Sequence, residues 1–103
     1  MSSTSSWTFL SNHGHVLVQL AHSPDETMRD IALRVGITER AVQLIVRDLT
    51  QQGYVRVERL GRRNHYSVAR DLPLRHPAEQ QTTVGDLVGL FAPPVPDDPQ
   101  RRR

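Results

Sequence analysis

A glycine between two short amphipathic segments constrains the fold more than any other feature of the sequence. In the segment before Gly36, apolar residues recur at the three- and four-residue steps of a helix: Met28, Ile31, Ala32 and Val35. Ser23 with Glu26 and Thr27 with Asp30 both match the capping-box pattern. The second is preferred because these four apolar residues then form one face, so a helix is expected over about residues 28–35. Glycine takes a positive φ without steric cost, so Gly36 ends this helix and lets the chain reverse. The small side chain of Ala32 then allows a close crossing by the next helix.

The segment after this glycine has the pattern of a longer helix. Thr38 is a good N-cap, and Glu39 complements the helix dipole in the first turn. The apolar residues of the segment again follow helical spacing: Ala41, Val42, Ile45, Val46 and Leu49. Gly53 supplies a stop at the carboxyl end. The sequence therefore predicts a helix from about Glu39 to Gln52.

After Gly53 the apolar period changes from helical to two. A strand is predicted from these residues: Tyr54, Val55, Val57 and Leu60. Residues 61–64, Gly-Arg-Arg-Asn, are typical of a turn, and residues 65–68 of a returning strand. A β-hairpin is thus expected directly after the second of the two helices.

Two further helices are expected at the ends of the folded region. Ser11 can cap a helix from about Asn12 to His22. Thr83 and Asp86 can cap a last helix over about residues 83–92. Residues 1–6 and the proline-containing residues 93–103 have too little apolar surface to offset their ordering entropy, so both are expected to be disordered. One domain is therefore expected over residues 7–92.

Composition narrows the class of protein. A chain without cysteine has no disulfide and no thiolate zinc site, which suits a reducing compartment. Its apolar runs are far shorter than the roughly 18 residues of a membrane span, and its first residues lack a signal-peptide pattern. We therefore expect a cytoplasmic protein without a membrane partner.

The basic charge is concentrated in one stretch of the chain. The formal net charge is only +2, but residues 40–75 hold eight arginines against three acidic residues, a net charge of +5. All thirteen basic residues are arginine. A GC-rich coding bias explains that composition, and arginine also suits the recognition of phosphate and guanine. The local concentration of charge favours nucleic acid as a partner.

Residues 12–70 resemble bacterial winged helix-turn-helix transcription regulators of the MarR and ArsR kind. The resemblance rests on residues 35–49, on Gly-Tyr-Val at 53–55 and on the arginine-containing wing at 61–66. It implies an α+β fold, mainly α with a small β-hairpin and with an additional short C-terminal helix. It also implies a homodimer that binds double-stranded DNA. MarR-type chains are usually longer, with more helices around a ligand pocket, so a small-molecule effector stays unknown.

The outward face of the helix at 39–52 carries side chains suited to base edges. Gln43 can form two hydrogen bonds with adenine, and Arg40 or Arg47 can bind guanine or phosphate. Thr38 lies beside them at the start of the helix. Leu44, expected to be exposed, either packs on a thymine methyl group or is ordinary scattered surface hydrophobicity.

The predicted hairpin turn gathers three cations and an amide: Arg59, Arg62, Arg63 and Asn64. Such a group can enter a narrow minor groove or hold flanking phosphates, and the alternative is a solvated hairpin tip. Arg29 can add a phosphate contact at the start of its helix. We expect sequence-specific binding of double-stranded DNA by a transcriptional regulator. The alternatives are a protein–protein interaction module and a non-specific DNA-coating protein.

The last predicted helix is assigned to a homodimer seam. Its apolar stripe has helical spacing: Val84, Leu87, Val88 and Phe91. Gly85 and Gly89 weaken a helix unless close packing compensates, and regulators of this kind dimerise through terminal helices. Packing against its own domain is the alternative.

Other functions find less support in the sequence. His13 and His15 do not share a helix face and no acidic cluster joins them, so no metal or cofactor is expected. Catalytic motifs and phosphate-cradling loops are absent, so the chain is not expected to be an enzyme. RNA binding is disfavoured because most of the aromatic residues are expected in the core: Trp7, Phe9, Tyr54, Tyr66 and Phe91.

Overall fold

The structure, a computed structural model, describes residues 7–91 of the 103-residue chain. The elements follow in the order α1 (Asn12–His22), α2 (Met28–Val35), α3 (Glu39–Gln51), β1 (Val55–Leu60), β2 (Arg63–Val68), a 3-10 helix (Pro77–Glu79) and α4 (Val84–Gly89). This mainly α fold with one antiparallel hairpin is the one predicted. The disorder expected for residues 1–6 and 93–103 lies outside the described residues.

The three N-terminal helices begin where the sequence places their caps. The side-chain oxygens of Ser11, Thr27 and Thr38 each accept a hydrogen bond from a backbone N–H three residues later. Gly36 closes α2 with a φ of 86°, and its N–H donates to Ala32 O at 2.8 Å. A second glycine in the same conformation, Gly53 with a φ of 82°, follows α3. The polar and glycine signals thus fix these helix boundaries locally.

The core is formed by all four helices and both strands of the hairpin. Its buried residues are Val16, Leu17, Val18, Leu20, Ile31, Ala32, Val42, Ile45, Val46, Leu49, Val55, Tyr66, Val84 and Val88. Burial of one such aliphatic side chain contributes about 1.5–3 kcal/mol relative to leaving it exposed. The contributions of α2 and α3 to this core fix how the two helices cross and which face of α3 remains outside.

The hairpin turn is tighter than the sequence indicated. Leu60 pairs with Arg63, so the connection has only two residues, Gly61 and Arg62. A positive φ is required at Gly61 alone, where it is 65°, as in type II′ turns. The prediction of a four-residue turn is therefore wrong, because the strands continue to pair and place Arg63 and Asn64 on β2.

The expected burial of the N-terminal aromatic residues is also wrong. Trp7 and Phe9 are 69% and 93% exposed, and their rings contact each other edge to face with centroids 5.0 Å apart. Phe91 is 40% exposed, whereas Tyr66 is buried. Trp7 and Phe9 precede α1, whose own aliphatic residues already fill the core at this point, so the two rings remain at the surface.

Helix α4 packs against its own domain and is shorter than predicted, ending at Gly89. Val84 and Val88 are fully buried in the core described above. Gly85 lies so close to the loop after β2 that a Cβ would stand 3.0 Å from Arg70 O, and its N–H donates to that oxygen at 2.7 Å. Val84, Val88 and Gly85 therefore belong to the chain's own fold and are not open to a partner.

Candidate nucleic-acid interface

Helix α3 presents a polar stripe on the side opposite to its buried residues. Arg40, Gln43 and Arg47 are all exposed and recur at three- and four-residue steps. A helix rises 1.5 Å per residue, so the three Cα atoms span about 10 Å along its axis. This length allows one stripe to contact several successive base pairs.

The side chains of this stripe are free of internal partners. Among residues 7–91, Arg40, Gln43 and Arg47 have no side-chain hydrogen bond and no ion pair. By contrast, Arg34 on α2 lies 2.7 Å from Glu26. Unpaired donors on an exposed helix face are available to a ligand without the loss of an internal bond.

Two other predicted contact residues, the N-cap of α3 and a residue within the helix, are less available to a ligand. The hydroxyl of Thr38 accepts a hydrogen bond from Ala41 N at 3.0 Å, so its first role is to cap the helix. Leu44 is half-buried rather than exposed, because it lies next to Ile45 at the edge of the buried face. Only part of the Leu44 side chain therefore reaches the surface.

The wing distributes its arginines over both faces and the tip of the hairpin. Arg59 pairs with Asn64 on the face that also carries Tyr66, whereas Arg63 pairs with Leu60 on the other face. Arg59 Nε donates to Gly61 O at 3.1 Å and so supports the turn. In the described part of the chain, the side chains of Arg62 and Arg63 have neither a hydrogen bond nor an ion pair.

A notch of about 450 Å³ separates the wing from the start of α2. It is lined by Arg62 and Arg63 on one side and by acidic residues on the other: Asp25, Glu26 and Asp30. Arg29 is exposed in the first turn of α2, close in sequence to all three carboxylates. Their negative charge opposes the approach of a phosphate to this helix end.

The structure also reveals a wing contact that sequence reasoning missed. His65 Nδ1 and Asp25 Oδ1 are 2.8 Å apart, and the neighbouring Tyr66 N donates to Pro24 O at 2.9 Å. Forty residues separate His65 from Asp25, and no local pattern links the two positions. Only the tertiary fold brings the wing against the loop before α2.

A second concave surface lies away from the stripe on α3. An open groove of about 500 Å³ runs between α1, the loop at residues 74–79 and α4, with Phe9, Leu17 and Leu87 among its lining residues. The loop and α4 together form the wall of this groove that faces α1, and the groove is open to solvent.

Two observations bear on membrane and metal binding. Across residues 7–91, no helix is both long enough and apolar enough to cross a bilayer. In the same range, no three histidine, cysteine, aspartate or glutamate side chains come together as a potential metal site.

A comparison with known protein families covers the three N-terminal helices and β1. The family model described as MarR family matches residues 8–63, which is more than half of the chain. The chain therefore belongs to the MarR family of DNA-binding transcriptional regulators. A comparison with curated proteins found no match.

Proposed function

We propose that the chain recognises a specific sequence in double-stranded DNA by inserting α3 into the major groove. The observation that carries this proposal is the exposed stripe of Arg40, Gln43 and Arg47, whose side chains have no partner among the residues that the structure describes. Gln43 recognises an adenine edge, while each arginine binds guanine or an adjacent phosphate. Thr38 adds a phosphate contact at the N-terminus of α3, and the exposed part of Leu44 packs on a thymine methyl group.

In this complex the wing holds the DNA on the flank of the major-groove contact. Arg62 at the tip enters the minor groove or binds phosphate, and Arg59, Arg63 and Asn64 contact the backbone on either side. Within residues 7–91 the side chains of Arg62 and Arg63 have no internal partner, which supports this role. Arg29 makes the weakest contribution, because the acidic residues around the start of α2 oppose a phosphate there.

The regulator acts as a homodimer in this proposal, since two-fold DNA sites match two-fold proteins. The surface proposed for the partner copy contains Leu87, which is half-buried, and Phe91, which is 40% exposed. Leu90 lies between them in the chain and is 78% exposed. These three residues replace the full stripe of α4, because Val84 and Val88 already lie in the core.

Salt dependence of DNA affinity tests the role of the wing. We expect the double substitution Arg62→Ala with Arg63→Ala to weaken binding to every duplex, because phosphate contacts are lost. The slope of log affinity against log salt should fall by about one to two units, since each phosphate contact contributes about 0.9. The matched control is Arg70→Ala with Arg75→Ala, which removes the same charge outside the wing. A slope that is equally reduced in the control would contradict the assignment.

A protein-interaction module is the second candidate function, and the exposed rings of Trp7 and Phe9 favour it. Selection of bound duplexes from a random pool separates the candidates. A palindromic enriched motif supports a sequence-specific dimer. Binding without enrichment supports a non-specific DNA-coating protein, and an absence of duplex binding at low salt leaves the interaction module.

A further inference from the structure

We infer that Asp25 and His65 are positioning residues. They hold the wing in a fixed place relative to α3, so that the arginines of the wing are already in position when DNA binds. This inference rests on the proposed DNA binding and adds to it two residues that do not themselves contact DNA.

Two adjacent contacts tether β2 to the loop before α2. The backbone N–H of Tyr66 donates to Pro24 O at 2.9 Å, so the outer edge of the hairpin is partly covered. Next to it, His65 Nδ1 and Asp25 Oδ1 lie 2.8 Å apart, with the two side chains 33% and 59% exposed. One contact uses the backbone and the other a side-chain pair, and together they fix both the position and the orientation of β2.

The loop that receives the wing is itself anchored to the helices. Glu26 Oε1 is buried and lies 2.7 Å from Arg34 Nη2, but the angle between the two groups does not fit a hydrogen bond. The attraction between opposite charges is therefore the main interaction that stabilises this carboxylate oxygen. Arg34 Nη1 also lies 3.4 Å from Gln19 Oε1 on α1 and 3.4 Å from Ser23 Oγ. Because Arg34 belongs to α2, which packs directly on α3, the tether connects the wing to the helix-turn-helix.

The outer part of the wing has few other contacts to hold it. Of the six residues of β1 only Val55 is buried, while Val57 and Leu60 are 41% and 52% exposed. A two-stranded hairpin is marginally stable by itself in water. A loose wing would lose conformational entropy on binding DNA, and a tethered wing avoids most of that loss. The tether therefore contributes to DNA affinity without touching DNA.

The charges around His65 show why Asp25 is the relevant partner. Glu58 stands opposite His65 in the strand register, and Arg63 lies two residues away on the same face. Glu58 belongs to the hairpin, so an interaction with it cannot connect the wing to the helices. Asp25 is the carboxylate that lies within hydrogen-bond distance of His65 and belongs to another part of the fold.

A double-mutant cycle on DNA affinity tests the inference. Asp25→Asn, His65→Asn and the double variant of the full chain are titrated against a labelled mixed-sequence duplex of roughly 20 base pairs, two helical turns. Asp25→Asn also changes the attraction to DNA through the loss of a negative charge, but an effect that is independent of the partner residue cancels in the cycle. We expect the product of the single effects on Kd to exceed the effect of the double variant by about two- to fivefold, the size usual for a partly exposed pair of polar side chains.

The chain contains a matched control for this cycle. His13 Nε2 and Asp48 Oδ2 are also 2.8 Å apart, with side chains 50% and 48% exposed, but they join α1 to α3 and do not contact the wing. The cycle of His13→Asn and Asp48→Asn should show no coupling in DNA affinity. Equal coupling in both cycles would overturn the inference, because it would indicate a general effect on stability.

Hydrogen exchange without DNA gives an independent result. Asp25→Asn should speed the exchange of amides in β1 and β2 while the urea midpoint of the whole domain changes little, and Asp48→Asn should leave these amides unchanged. If wild-type chain binds the duplex but the wing cycle shows no coupling, the inference fails and the proposed function stands. If wild-type chain binds no duplex, the proposed function fails, whatever the exchange rates of the wing amides.

Discussion

At the scale of single residues, the arginines of this chain differ in whether their side chains already form internal hydrogen bonds or ion pairs. Arg34 is held by Glu26 and two neutral oxygens, and Arg59 bonds to the turn that it flanks. Arg40, Arg47 and Arg62 have no such bonds in the described residues. Every guanidinium is charged at neutral pH, so the difference lies in which of them can form new hydrogen bonds without breaking old ones. Arg40, Arg47 and Arg62 are therefore the arginines of this comparison that can bind DNA without giving up an internal bond.

Substitution of Gln43 tests base recognition at this scale. Gln43→Ala should relax the preference at one base pair of the selected motif, because a bidentate amide contact discriminates by about 1–3 kcal/mol. Affinity for unrelated sequences should change little, since Gln43 carries no charge. The measurement is competition between the selected duplex and its single-base variants.

Gln81→Ala is the matched control, because Gln81 is exposed in the loop before α4. It should leave the preference intact at every position. Loss of affinity for all sequences alike in Gln43→Ala would contradict a base contact and indicate a backbone contact instead.

At the scale of elements, the helix boundaries were predictable because residues close in sequence determine them. The packing of segments that are distant in sequence was not predictable. Ser11, Thr27 and Thr38 marked the helix starts, since a cap bonds only three residues ahead. The place of α4 depends on a close approach to Arg70, which apolar spacing does not reveal. The same stripe of apolar residues can pack against a partner copy or against the chain's own core. In the structure two of its four residues, Val84 and Val88, lie in the core.

The candidate site follows the same division. The polar stripe of α3 was predictable, because the buried residues of a helix determine which residues face outward. The half-buried position of Leu44 depends on the neighbours that surround it in the fold. The contact between Asp25 and His65 joins segments forty residues apart, so no sequence period could indicate it.

Substitution of Gly36, in the turn between α2 and α3, tests whether the helix-turn-helix needs a residue that adopts a positive φ. A Cβ at Gly36 would have no heavy atom within 4 Å, so Gly36→Ala introduces backbone strain without a clash. At a φ of 86° that strain should lower the free energy of unfolding by about 1–2 kcal/mol. Urea denaturation followed by circular dichroism measures the change.

Gly89 provides the opposite case at the end of α4. It also has open space around a built Cβ, but its φ is not positive. Gly89→Ala should therefore raise the free energy of unfolding by up to about 0.5–1 kcal/mol through helix propensity. If both substitutions changed stability in the same direction, backbone conformation would not be the cause.

At the scale of the whole molecule, the described chain has two surfaces with different chemistry. One is polar and basic, formed by the stripe of α3 and the wing. The other is apolar, formed by the aromatic pair at residues 7 and 9 and by residues 87, 90 and 91. Phe9 and Leu87 line the same groove, so the aromatic pair lies next to the surface proposed for a second copy. Dimerisation through this surface would leave α3 free to bind DNA.

Trp7 is a built-in reporter of that surface, because it is the chain's single tryptophan and is 69% exposed. In the monomer its emission should resemble that of a solvent-exposed indole and change little when urea unfolds the helices. If a second copy covers the aromatic pair, emission should shift to shorter wavelength and resist a soluble quencher as concentration rises. The shift should follow the monomer–dimer transition measured by sedimentation equilibrium.

Two charge substitutions separate dimerisation from general aggregation. Phe91→Glu places a carboxylate in the proposed interface and should remove both the spectral shift and the dimer, because burial of an unpaired charge is costly. Leu33→Glu places the same charge on α2, where Leu33 is 73% exposed, and should leave both unchanged. A dimer that forms while Trp7 stays fully quenchable would show that the two copies meet elsewhere, and the apolar surface would then be open to another protein.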